Sequence, residues 1–150
     1  MKFLLNIQLV PLSRFGINLR TKLKKSDWDK IRKSVYAKEE MCCHICLEPC
    51  KSLDAHEVWN FNKKTQIQKL IGIIGICKAC HNTIHYGRSQ MIGYEQEAKE
   101  QFLKVNNCEM IDLKIELLRI RADYFELCKI KDWKLDLAFI EAQGYVVNKD

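Results

Sequence analysis

An α+β fold is predicted for this 150-residue chain, and three observations predict it. Two Cys-x2-Cys pairs, Cys43 with Cys46 and Cys77 with Cys80, bracket a segment that contains strand-like runs. Behind the second pair the pattern turns helical, and Leu113, Leu117, Ile120, Tyr124 and Leu127 mark one face of a long helix. The composition is that of a folded body: 47% of residues are hydrophobic, and only two prolines and six glycines interrupt the chain. One domain over residues 1–150 is expected, with a core at 43–86, an N-terminal part at 1–42 and a mostly helical extension at 87–150.

The apolar start, residues 1–10, reads as a strand. It is too short to span a membrane, and it lacks a basic region followed by a small-residue cleavage site. Ser26 followed by Asp29 has the form of a capping box with Asp in place of Glu. Trp28, Ile31 and Val35 recur at helical spacing behind it and predict a basic amphipathic helix over 27–38. A strand is expected at 53–59, a polar turn at 60–65, and the second half of a hairpin running through the apolar segment 73–76. Residues 82–86 are expected to open a helix that stops before Gly87, and residues 87–93 offer the one internal boundary. A helix over 94–104 follows, then the longer one. Trp133, Leu135, Leu137 and Phe139 suggest a short terminal strand or an extended segment against the core.

Lys and Arg outnumber Asp and Glu by 25 to 19, a net charge of +6 that modestly favours a polyanionic partner. The excess is concentrated between residues 14 and 38, where Arg20, Lys22, Lys24, Lys25, Arg32 and Lys33 are candidate phosphate contacts. A solvated helix face has the same appearance. No run approaches the roughly 18 apolar residues of a membrane-spanning helix, so a membrane protein is not expected and the cytoplasm is.

Eight cysteines without a secretion signal, four of them in paired Cys-x2-Cys turns, point to zinc in a reducing compartment rather than to disulfides. Each tight turn aims two sulfurs at one ion, and four thiolates complete a tetrahedral structural site. Cys42, Cys50, Cys108 and Cys128 are then spare, and Cys108 and Cys128 read as small buried hydrophobes. All four histidines, His44, His56, His81 and His85, fall within or beside the same segment. His81 and His85 stand at i and i+4, so on a helix both rings leave one face and can share a second metal ion, while Cys80 next door serves the zinc. His44 lies inside the first knuckle turn, where exposure is expected.

Three stretches together carry a resemblance: Cys43-His44-Ile45-Cys46, Leu53-Asp54-Ala55-His56-Glu57-Val58-Trp59, and Cys77-Lys78-Ala79-Cys80-His81-Asn82-Thr83-Ile84-His85. This pattern resembles the HNH endonucleases, the ββα-metal or His-Me finger nucleases. It is most similar to a phage and bacterial branch with a His-Glu-(Val or Ile)-Trp motif, a following Gln-Lys-Leu as at Gln68 to Leu70, and CxxCHxxxH. Weaker similarity extends to Trp28-Asp29-Lys30-Ile31-Arg32-Lys33, Val105-Asn106-Asn107 and Trp133-Lys134-Leu135-Asp136-Leu137.

The resemblance implies metal-dependent hydrolysis of phosphodiester bonds in DNA, with RNA left open, in a bacterial cell or phage-infected host. It implies a structural zinc on Cys43, Cys46, Cys77 and Cys80. It also implies a catalytic Mg2+, Mn2+, Ni2+ or Zn2+ on His56, His81 and His85. Two positions depart from the family pattern: Glu57 stands where a histidine base is usual, and Gly72 where an asparagine is. In one register His56 binds metal and Glu57 is the base; in the other His56 is the base and Asp54, two residues away on the same side of a strand, is the ligand. The alternative to an active nuclease is a weak or inactive module of the same fold that binds nucleic acid or inhibits a protein partner. A homodimer through the long helix also stays open.

Overall fold

The computed structural model describes residues 2–148. Helix α1 (Lys25–Lys38) precedes a hairpin of β1 (Asp54–Asn62) and β2 (Ile67–Ile76). Helices α2 (Lys78–Ile84), α3 (Tyr86–Ile92), α4 (Glu95–Asn106) and α5 (Met110–Cys128) follow, and β3 (Lys134–Asp136) and α6 (Ala138–Glu141) close the chain. The predicted α+β class, the hairpin, the basic helix and the helical second half are all present. Where the sequence left strand or extended segment open near the end, a three-residue strand forms and pairs parallel to β2 from Ile67↔Lys134 to Lys69↔Asp136.

The expected N-terminal strand is not one. Met1 lies outside the described residues, and residues 2–10 carry no strand. Period two is nonetheless real here: Leu5 and Ile7 are buried, and Phe3 and Leu9 pack partly beside them. Leu5 packs in one cluster with Ile76, Cys80 and Ile84, and Ile7 in another with Tyr86, Phe102 and Leu113, so the segment is received by side chains and joins no strand edge. The segment is pinned instead by Asn106, whose side chain accepts from the Leu4 and Leu5 amides at 2.9 Å each and donates to the Leu5 carbonyl at 2.9 Å. A further bond runs from the Gln8 amide to the Ile84 carbonyl at 2.9 Å.

Two helix starts also differ from expectation. Helix α1 begins one residue before Ser26 with Lys24 as its cap, and no side chain caps it. Helix α2 begins at Lys78, and Gly87 breaks nothing, since it lies in α3.

The hairpin register pairs Asp54 with Ile76, His56 with Ile74 and Glu57 with Ile73. It shifts between Val58 and Trp59, where Gly72 and Leu70 face these two residues and Ile71 is left over. This bulge lets Leu70 and Ile73, three positions apart, both join the cluster built on Trp28 and Ile31 of α1. On the other side Leu5, Ile76 and Ile84 surround Cys43 and Cys80. The first knuckle is tied to β2 by the His44 amide, which donates to the Gly75 carbonyl at 2.9 Å. Gly75 also leaves room for Glu39 and Leu53, because a Cβ there would lie 3.1 Å from the Glu39 side chain and 3.2 Å from that of Leu53. The hairpin and α2 therefore meet over a sulfur-lined base, and the site is built on that joint.

Candidate metal centres and their cleft

The four sulfurs of Cys43, Cys46, Cys77 and Cys80 all lie within 4.8 Å of one another. Cys46 and Cys77 are 3.8 Å apart, the edge of a tetrahedron whose metal–sulfur bonds are about 2.3 Å. Cys77 also caps α2, its sulfur accepting from the Cys80 amide at 3.4 Å, and Gln101 donates to the Cys80 sulfur at 3.3 Å. These donors stabilise thiolate, as a zinc site requires. Burial first, then neighbouring sulfurs, push the Cys80 thiol far above its usual range, and Cys46 is pushed to about 11. Without a cation Cys46 and Cys80 hold their protons, whereas at Cys43 burial is outweighed by hydrogen bonds from the backbone, which bring the thiol below its usual value. All eight cysteines are free, and the donor set fits a structural zinc.

The second cluster is His56, His81 and His85, whose ligand atoms also lie within 4.8 Å of one another. His56 arrives from the middle of β1 and is 6% exposed. His81 sits on α2, and His85 is the residue at which α2 passes into α3. The His85 amide still donates to the His81 carbonyl at 3.1 Å, so the two rings keep helical spacing and meet edge-on with centroids 4.9 Å apart. The Nδ1 of His81 lies 2.8 Å from the Asp54 carboxylate, which leaves Nε2 for a cation. Asp54 is thus placed as the residue that orients His81. Three imidazoles suit borderline cations such as zinc or nickel better than magnesium or manganese, which prefer oxygen.

Burial holds His56 down at about 3 and His85 at about 4, with repulsion between the rings adding to it. Both are neutral at pH 7, their lone pairs free for a metal. The linkage follows. Below the unfolded value of about 6.5 the unfolded chain takes up protons that the folded His56 and His85 refuse, so stability present above that pH is lost as the pH falls toward 4. For protein carrying zinc only at the cysteines, each histidine contributes a slope of up to about 1.4 kcal/mol per pH unit in that window. Urea titrations from pH 7 to 5 are expected to show a shallower fall for the double variant His56→Ala, His85→Ala; equal slopes would remove the argument. A second measurement concerns Asp54. Metal affinity at the triad is expected to drop about 10- to 100-fold in Asp54→Ala and to recover partly in Asp54→Asn, which still accepts a hydrogen bond.

Glu57 is not brought into the triad. Alternation along β1 turns it to the opposite side from His56, where its carboxylate accepts a hydrogen bond from the Leu19 amide. Burial raises its pKa, and the bonds from Leu19 and Trp59 with nearby Arg20 oppose the rise. Gly72, where the family pattern has an asparagine, sits at the bulge with open space around any added Cβ.

The triad opens into a cleft of about 770 Å³, which Glu57 also borders. None of the six predicted phosphate contacts lines it. Arg20 stacks over Trp28 at 5.8 Å, Lys25 and Arg32 pair with Asp29 at 3.3 and 2.9 Å, and Lys24 and Lys33 are exposed on and beside α1. Lys22 is half-buried. The cations that do line the cleft are Arg14, Arg88 and Arg121, and none of them pairs with a carboxylate among the described residues. Arg14 is set by the buried Gln68, to which its Nε donates at 2.6 Å. Arg14 belonged to the basic stretch, whereas nothing in the spacing of Arg88 or Arg121 tied them to the histidines.

No family model, curated protein or solved structure matches this chain. The candidate function therefore rests on the two clusters and the cleft. No described helix is long and apolar enough to cross a membrane.

Proposed function

We propose that this chain is an HNH-type, metal-dependent endonuclease that hydrolyses phosphodiester bonds in DNA, with a structural zinc on its four cysteines. The observation that carries the reading is the meeting of His56, His81 and His85 within 4.8 Å on a hairpin and the helix after it, directly beside the sulfur cluster. His56, His81 and His85 would hold a divalent ion, which would supply positive charge to a phosphodiester and to its leaving oxygen. Arg14, Arg88 and Arg121 draw the phosphate into the cleft and offset its charge. Asp54 keeps the His81 ring turned toward the centre.

The test is nicking of plasmid DNA with each candidate ion. Cutting is expected to vanish in His85→Ala while the variant stays folded. Glu57→Gln adds a separate question, since glutamine still accepts the Leu19 amide but is no base. Lost cutting in that variant assigns Glu57 the proton, and unchanged cutting takes it away.

A second reading is favoured by one observation, the engagement of Glu57 with Leu19 on the side away from the triad. On that reading the module binds nucleic acid without turnover. Salt-sensitive binding with no cutting under any ion is its signature.

A further inference from the structure

Phosphates account for the three arginines of the cleft, but not for its walls. Phe15, Trp59, Tyr124 and Phe125 line it together with aliphatic side chains such as Leu9 and Met91. Phe15 and Phe125 are 62% and 65% exposed, so neither serves the core. A stacked duplex offers phosphates and groove edges to a protein and keeps its base faces inside, where such walls have nothing to touch. An unpaired nucleotide offers both a phosphate and a flat apolar face, and aromatic side chains bind that face whatever the base. A volume of about 770 Å³ is that of a pocket for a small molecule, not of a groove that seats a double helix.

We infer that the cleft takes an unpaired nucleotide, so that the preferred ligand of the triad is a single strand or the unpaired end of one, with aromatic side chains against the base and arginines on the phosphate. This deepens the reading of the triad as a phosphodiester site and rests on it.

The test separates the two claims by measuring binding without turnover. Short fluorescent strands with a hydrolysis-resistant phosphorothioate backbone are titrated with the full chain as a DNA single strand, an RNA single strand and a blunt DNA hairpin whose stem carries that sequence and whose loop is a non-nucleotide linker. At least one single strand is expected to bind about 10-fold or more tightly than the hairpin, and the two sugars show which source the site prefers. The double variant Phe15→Ala, Phe125→Ala is expected to lose about 10-fold on the single strand and little on the hairpin. Both side chains are largely exposed, so the variant keeps its fold, as circular dichroism would verify. Equal or tighter hairpin binding overturns the inference, as does an unaffected double variant. Cutting is scored separately on unmodified strands: if nothing is cut but the single-strand preference holds, the nuclease reading fails and the ligand class stands.

Discussion

Cys80→Ser is expected to release the zinc and to lower stability by about 4 kcal/mol or more, a fall of roughly 10 °C in the thermal midpoint for a chain of this size. The size of the effect follows from position. Cys80 is 0% exposed, stands in one cluster with Leu5, Ile76 and Ile84, and belongs to the sulfur group that joins the first knuckle to the second. Its high proton affinity in the absence of a cation means that the ion, not the surrounding protein, keeps the thiolate there. Serine is a poor zinc ligand and leaves a buried hydroxyl among apolar neighbours. Metal content and thermal melting check this. A variant with full zinc content and an unchanged midpoint would show that the sulfurs do not form a metal site.

His85→Ala is expected to reduce cleavage by about a hundredfold or more while stability stays near that of the wild type. The two effects divide because His85 is half-buried at the junction of α2 and α3 and its ring meets the rings of His56 and His81, so its loss removes little packing from the core. Two imidazoles are then left for a cation, and the three-histidine group has no fourth member among the described residues. Stoichiometry by metal analysis should read one zinc per chain in this variant and a second ion in the wild type. Cutting at the wild-type rate would place the reaction elsewhere.

Much of this was legible because metal ligands are specified by residue type and interval. Two Cys-x2-Cys turns, and histidines at i and i+4 directly after one of them, leave few ways to fold around a cation, and the positions of His81 and His85 followed from helix periodicity alone. His56 could be tied to them only through the family pattern, since its place depends on how β1 lies against α2. Side-chain direction was the part that spacing could not supply. In one of the two registers Glu57 was expected beside the triad as its base, yet one step along a strand reverses the face, and the Leu19 amide holds it there. The N-terminal segment misled for a related reason: alternating burial of Leu5 and Ile7 reports an extended chain, but only a free strand edge makes it a strand, and Asn106 took that place from a hundred residues away. The basic stretch drew attention to charge density, while the cleft took Arg88 and Arg121 from helices whose packing no local pattern reveals.

Cys80 and His81 are consecutive residues of α2, one facing each cluster. With an ion on each cluster, a single peptide unit would join the two sites, and a shift of the backbone at one ligand would be felt at the other. Filling the sulfur site should tighten occupancy of the histidines, and by reciprocity an ion on the histidines should slow the departure of zinc to a chelator.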